Sequence, residues 1–412
     1  MDVQVRAETG NAAVGEWLVA AGLDGMPVGQ ILEGFCDQLA AGGVSIKRVY
    51  AAMATLHPLI RAHGYLWQRG KGLVDVSAFA VSHVQSQAWK ESPFKVMLEQ
   101  DQPVLRRRLA GPEAAFDFPV LRELADEGLT DWLALANDFG WELSTTVTFS
   151  GYAKIGMVST WATDRPDGYG EAELAALRTL VPTMALAIKA ATNAQLARNI
   201  LGTYVGGDAA RHVMSGDIRR GTARKIEAVI LYADLRGFTG MADRLAIEPV
   251  VDMLNVYFDC LGPAIEQHGG EVLKFLGDGL LACFQLAPGQ DRAPVCAAAL
   301  GSAEAALAAV AALNAERRQA TLPVLDLDIA LHHGLVMYGN VGTGARLDFT
   351  LIGPAVNEAA RLENLCGTLG RHLVASRSFA AASGPAVSRL VSLGRHQLRG
   401  VAEPQEVFGL AG

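Results

Sequence analysis

Apolar positions recur at spacings of three and four near the start of the chain. They predict one helix around Trp17, Leu18, Ala21 and Leu23 and a second carrying Ile31, Leu32, Phe35 and Leu39. Short β-rich runs follow at Val44–Leu56 and Gly64–Trp67. Residues 92–140 read as short helices mixed with loops, anchored by Leu121, Leu124, Leu129, Trp132 and Leu133. Two more strands are expected at Thr145–Phe149 and Ile155–Trp161, the second closed by the turn-rich Asp164–Gly170. A long helix begins near Glu171. Its Leu177, Val181, Met184, Ile188 and Ala191 alternate spacings of four and three, a heptad-like seam. That seam fits either a parallel helix pair between two subunits or packing on its own domain, and Pro182 would kink it. Residues 202–226 form a Gly- and Arg-containing connector.

From Ile226 onward compact strand, helix and Gly-turn signals alternate to the end. With 412 residues, and ~150 residues per domain as a guide, the pattern divides the chain into 1–190, a linker at 191–225, and 226–412. Half of the residues are apolar and 19% charged, so long disorder is not expected. The net charge of −8 supplies no basic footprint for a generic nucleic-acid binder. The five cysteines, Cys36, Cys260, Cys283, Cys296 and Cys366, are scattered and form no C-x-x-C pair, so neither a disulfide framework nor a structural zinc site is expected. The first residues, MDVQVRAETG, contain no apolar signal-peptide core. No apolar run reads as the ~18–20 residues of a membrane span; the Ala-rich stretch 293–315 carries Glu304 and reads as a buried amphipathic helix. A cytoplasmic protein without a membrane span is the expectation.

The candidate chemistry lies in the second half. The β-rich run Ala228–Tyr232 leads into Asp234-Leu-Arg-Gly-Phe-Thr239. A carboxylate at a strand end, a neighbouring Leu235 carbonyl and the N–H groups of Gly237, Phe238 and Thr239 suit a hard divalent cation and a phosphate respectively. Thr239 reads as the N-cap of a helix carrying Met241, Leu245, Val251 and Leu254. Next, two apolar runs flank Gly277-Asp278-Gly279, a hairpin signal that offers a second carboxylate able to pair with Asp234. Lys274 is an isolated cation in the first of those runs. Further on come Gly339-Asn-Val-Gly342 and Arg346-Leu-Asp-Phe-Thr350-Leu-Ile-Gly353. A helix then carries Asn357 and Arg361, four residues apart and therefore on one face. The last element is Leu398-Arg399-Gly400 on a late strand.

These four elements, in this order, resemble the catalytic domain of the class III nucleotidyl cyclases over about residues 224–410. The resemblance implies an α+β fold, a ferredoxin-like (palm-type) βαββαβ domain. It implies an adenylate cyclase that makes 3′,5′-cyclic AMP and pyrophosphate from ATP, with two Mg²⁺ or Mn²⁺ ions per site. Asp234 and Asp278 would hold the metals, assisted by the Leu235 carbonyl. Lys274 would contact the base, with Thr350 at a second base position where many members have Asp. Asn357 would orient the ribose and Arg361 the α-phosphate. Arg399, where many members have Lys, would hold the terminal phosphates. The Thr resembles a subclass in which several members respond to bicarbonate. In this family metal acids and base contacts come from opposing domains, so a homodimer with two composite sites is implied.

Adenine N1 accepts a hydrogen bond and suits a lysine donor, whereas guanine N1 carries a hydrogen and would suit a carboxylate. Lys274 therefore points to ATP, although the Thr350 hydroxyl can donate or accept and leaves room for both bases. A guanylate cyclase and an inactive nucleotide-binding signalling protein are the alternatives. Residues 1–190 resemble a GAF-type sensor in texture and order, with a PAS-like domain as the other reading and an unidentified small-molecule ligand. His57, His63 and His83 read as structural. Gly202–Arg220 resembles the short transducer element found before many cyclase domains.

Overall fold

The computed structural model describes residues 3–57, 59–142, 154–244, 246–401 and 403–411. Chain contacts divide it into two units, Met1–Ile200 and Leu201–Gly412.

The first unit contains helices α1 (Val3–Leu23) and α2 (Val28–Ala41), strands β1 (Arg48–Ala54), β2 (Ile60–Gln68) and β3 (Gly72–Ala80), short helices α3 (Gln87–Lys90) and α4 (Pro93–Glu99), and β4 (Val104–Arg108). Helix α5 (Pro119–Asp126), strands β5 (Asp131–Glu142) and β6 (Lys154–Thr163) and the long α6 (Glu171–Val205) follow. The strands form an antiparallel sheet in the order β3-β2-β1-β6-β5-β4. Strand alternation sends Val49, Ala51 and Met53 of β1 to the face covered by α1, α2 and α6, where Phe35 meets Trp161 edge-on at 5.7 Å. Met97, Leu121, Leu124, Trp132 and Val158 form a second cluster.

Several expectations change in this unit. The segment 92–140 holds two strands besides its short helices, because Trp132 and Leu133 alternate between faces of β5 rather than sharing a helical stripe. Strand β3 carries little sequence signal, since half-exposed Val74 and Val76 give it no apolar run. The expected strand Thr145–Phe149 lies outside the described residues. The seam Leu177, Val181, Met184, Ile188 and Ala191 is buried in the core of its own unit, so that face of α6 is not free for a subunit pair.

The second unit begins with α7 (Gly207–Met214) and runs through β7 (Ala223–Leu235), α8 (Phe238–Ala242), α9 (Ile247–Gln267), β8 (Glu271–Leu276), β9 (Gly279–Leu286), α10 (Arg292–Gln319) and β10 (Leu327–Gly342). It continues with β11 (Leu347–Ile352), α11 (Pro354–Glu363), α12 (Leu365–Leu369), β12 (Leu373–Ser376), α13 (Arg377–Ala382), β13 (Leu390–His396) and β14 (Gln405–Leu410). The succession β7-α9-β8-β9-α10-β10, with antiparallel order β10-β7-β9-β8, is the expected βαββαβ topology. Alternation again sorts the faces. Val229, Leu231, Ala233 and Leu235 pack under α9 and α10, while Ala228 and Ile230 face α7, β11 and α11. Asp291 caps α10 by accepting from the Ala293 N–H at 3.1 Å. By length and composition alone α6 and α10 could each cross a membrane, which corrects the expectation that no run approaches that length. In the fold, Cys296, Ala299, Leu300, Ala303 and Ala306 of α10 are buried in the unit's core.

Candidate functional site

Strand β7 carries the first acid, Asp234, one residue before its end. Ala233 pairs with Leu280 of β9, and Leu276 pairs with Gly279 across the two-residue turn Gly277-Asp278. This register carries Asp278 to the end of β7, within hydrogen-bonding reach of Asp234. Gly279 lies close beside it: a Cβ there would stand 3.3 Å from the Ala233 carbonyl oxygen and 3.4 Å from Asp234 Oδ1. Burial first, and the Asp278 charge second, push the Asp234 carboxyl up to about 7.

A third acid, Asp328, sits directly opposite Asp234 on β10 and is nearly fully buried. Its charge is answered locally. Arg236 donates from Nε to Oδ2 at 2.9 Å and from Nη2 to Oδ1 at 2.6 Å, a two-pronged pair. Sequence reading gives no role to this arginine inside Asp-Leu-Arg-Gly-Phe-Thr, because its partner acid lies 92 positions away and is brought to it only by the strand register. Glu363, at the end of α11, is also buried, and burial followed by the Asp234 charge pushes it up to about 7. Thus Asp328 is neutralised while Asp234 and Asp278 are left facing one another.

That uncompensated pair fits a divalent cation held by oxygen donors. Among the described residues no three His, Cys, Asp or Glu side chains gather into a closed metal site. The two carboxylates would be completed by the Leu235 carbonyl and by oxygens of a phosphate ligand. Gly237 has φ 75° and opens α8, so it, rather than Thr239, is the N-cap. Thr239 lies inside that short helix, and Leu245, expected in the same helix, lies outside the described residues. Gly237, Phe238 and Thr239 follow directly on the acid-bearing strand end.

The acid pair sets a pH dependence in metal-free protein. A carboxyl raised in the folded state stabilises the fold at low pH, and that contribution is lost as pH rises from about 4 towards 7. Relative to Asp234→Asn, the wild type should therefore lose stability across this window, on the order of 2 kcal/mol once solvent screening is allowed for. Denaturant titrations with a chelator at pH 5, 6.5 and 8 measure the difference; a constant offset between the two proteins would contradict the repulsive pair.

The base-side residues lie on β8 and β11. The Lys274 ammonium pairs with the Asp348 carboxylate, a partner that no local sequence pattern announces. Thr350 lies two residues further on the same face of β11. Asn357 and Arg361 share the outer side of α11, which starts at Pro354. Arg399 sits in a turn between β13 and β14 rather than on a strand, with Leu398 buried beneath it. That turn meets α11: a Cβ on Gly400 would lie 3.5 Å from Arg361 Nη2. Neither Arg361 nor Arg399 pairs with a carboxylate among the described residues, so two guanidinium groups remain available to an anion.

The registers bring the acids together, and Thr350 to the strand that holds Lys274's partner, but they do not join the two sets. Thr350 pairs with Gly339, which pairs with Ala223, the first residue of β7, whereas Asp234 lies at the last turn of that strand's length. Among the described residues no hydrogen bond or ion pair links Lys274 or Asp348 to either acid of the pair.

Residues 222–411 match the family described as the adenylate and guanylate cyclase catalytic domain. An adenylate cyclase of Anabaena cylindrica is 34% identical over 166 residues, 39% of this chain and 32% of that protein. Adenylate cyclase 1 of Rhizobium meliloti is 27% identical over 202 residues, 48% of this chain and 30% of that protein. The chain thus spans about a third of the length of the curated relatives it matches. Among solved structures, the adenylyl cyclase CyaB from P. aeruginosa matches 46% of this chain and 96% of its own, at 22% identity and a TM-score of 0.42.

Proposed function

We propose, on the match of residues 222–411 to the adenylate and guanylate cyclase catalytic domain family, that the chain is an adenylate cyclase working as a homodimer with two composite sites. The observation that carries this reading is the Asp234–Asp278 pair, left uncompensated while the adjoining Asp328 is neutralised by Arg236. Two divalent cations bound there would lower the pKa of the ribose 3′ hydroxyl and offset the triphosphate charge. This chain's residues do the rest. Asp234 and Asp278 would hold those cations, and through them the triphosphate, at the end of β7. Lys274, steadied by Asp348, donates to adenine N1. Asn357 orients the ribose, so that the 3′ oxygen lies in line with the α-phosphorus. Arg361 offsets negative charge that grows on the α-phosphate as the P–O bond to pyrophosphate breaks, and Arg399 holds the departing end.

Homodimerisation accords with the register: the acids and Thr350 of one chain are laid out towards opposite ends of β7, and a second copy would supply the half that each site lacks. Apolar Phe275, Leu276, Met337 and Ile352 are exposed on β8, β10 and β11 and suit such a contact.

The N-terminal unit supports a GAF-like regulatory role. One face of its sheet carries helices, and a cavity of about 490 Å³ opens on the unit, of the size small-molecule sites have. Its floor follows from register, since Ala52, Val158 and Ala136 form one row across β1, β6 and β5. Tyr50 and Phe94, stacked at 6.1 Å, supply aromatic wall. Thr350 is compatible with a bicarbonate response.

The test is product analysis. With Mn²⁺ or Mg²⁺ and labelled ATP or GTP, the chain should release cyclic AMP and pyrophosphate, with ATP preferred. Cyclic GMP as main product would move the reading to a guanylate cyclase, and no product from either nucleotide would replace it with a nucleotide-binding role.

A further inference from the structure

The base-side strand is gripped from behind by the segment that precedes the catalytic strands. Phe349 lies between Asp348 and Thr350 on β11, so alternation sends its ring to the opposite face. There it is nearly fully buried and meets two rings: Tyr338 of β10 edge-on at 4.7 Å, and His212 of α7 stacked at 5.4 Å with 16° between planes. His212 also meets Tyr338 edge-on at 6.3 Å, which closes a three-ring cluster.

His212 is itself held. Its Nδ1 lies 2.8 Å from Asp217 Oδ2, and Nε2 lies 3.7 Å from Asp208 Oδ2. The Asp217 backbone carbonyl accepts from the Asn340 side-chain N–H, and Asn340 is buried on β10 directly opposite Phe349. The contacts therefore form a closed circuit: His212 to Phe349, across the strand pair to Asn340, through Asp217 and back to His212. Among the described residues β11 is hydrogen-bonded to β10 alone, and this circuit joins the α11 contacts of Leu351 in bracing it from that face.

We propose that His212 is a positioning residue, which sets the placement of Thr350 and Asp348, and through Asp348 that of Lys274, so that displacement of α7 is read out as a change in nucleobase binding. The inference rests on the cyclase reading for its consequence and on the ring geometry for its cause. It differs from a direct role, because His212 contacts none of the residues assigned to the nucleotide. A shift of α7 would leave the Asp234–Asp278 pair, on the other end of β7, untouched.

Two variants of the full chain separate the outcomes. His212→Ala removes the ring and its pairing with Asp217; His212→Phe keeps the ring. His212→Ala should raise KM for ATP about five- to tenfold, the scale of lost aromatic contacts, and weaken discrimination against GTP, with kcat changed less than about threefold. His212→Phe should restore KM to within about threefold of wild type. Amide hydrogen exchange of residues 347–352 gives a readout independent of turnover: His212→Ala should accelerate it about fivefold, leaving β7 and β9 unchanged. A fall in kcat alone, or equal exchange in wild type and His212→Ala, would overturn the proposal. If the wild type made no cyclic nucleotide, the functional reading would fail while the exchange experiment still decided the role of His212.

Discussion

Asp234→Ala and Lys274→Ala, each purified alone, should be nearly inactive, and mixing them should restore activity. The first removes one of two carboxylates at the end of β7, with an expected loss on the order of 10³-fold in kcat. The second removes a charged donor to the base, with a loss on the order of 10²-fold in kcat/KM. Recovery follows from the proposed composite arrangement, in which the acids of one protomer would work with the lysine of its partner. A mixed dimer therefore gathers both lesions into one site and leaves the other intact. Random association makes half of the dimers mixed, each with one working site of two, so the mixture should approach about one quarter of wild-type activity. Both substitutions are at partly exposed positions, so folding should be retained, and the dimer is confirmed by sedimentation. Absence of recovery in confirmed mixed dimers would rule out sites shared between protomers. Substantial activity in either variant alone would remove that residue from the mechanism.

What the sequence discloses follows from how local its signals are. The Gly277-Asp278 turn and the strand end at Asp234 are readable because each is a short pattern with a steric cause, and the fold has a turn and a strand end at those positions. The i, i+4 pair Asn357 and Arg361 is readable for the same reason. Cross-strand partners are not. Nothing within a few residues of Arg236 announces Asp328, and nothing near Lys274 announces Asp348, because only the folded sheet brings together residues 92 and 74 positions apart. Residues 104–108 and 131–142 escape a local reading as strands because buried and half-buried positions follow one another on a sheet covered on both sides, which blurs alternation. The seam of α6 illustrates a limit of periodicity: a heptad-like stripe reports burial but not whether the covering surface belongs to the same unit, and in this chain it does.

The turn carrying Arg399 shows how such a misreading bears on function. Read as a strand residue, Arg399 would be a fixed ladder position; in a turn beside α11, its guanidinium would, under the proposed function, meet the terminal phosphates without being part of a strand ladder. Arg361, by contrast, projects from a helix packed on β10 and β7, with Ala355, Ala359 and Leu362 buried beneath it. A rigid base suits a group that must be aimed at charge developing in the transition state.

This difference makes Arg361→Ala the second large effect. The guanidinium is partly exposed and has no carboxylate partner among the described residues, so its removal should leave the unfolding midpoint within about 1 °C of wild type. The kinetic loss should be on the order of 10²–10³ in kcat, with KM for ATP little altered, because in the proposed mechanism the group acts on charge that appears only as the α-phosphate is attacked. Arg361→Lys keeps the charge but not the planar fork, and should recover only part of that loss. Steady-state kinetics of the three proteins at saturating metal decide the matter. A rise in KM at constant kcat would recast Arg361 as a ground-state phosphate holder, the role proposed for Arg399, and a drop in the unfolding midpoint would make it a support of α11 instead.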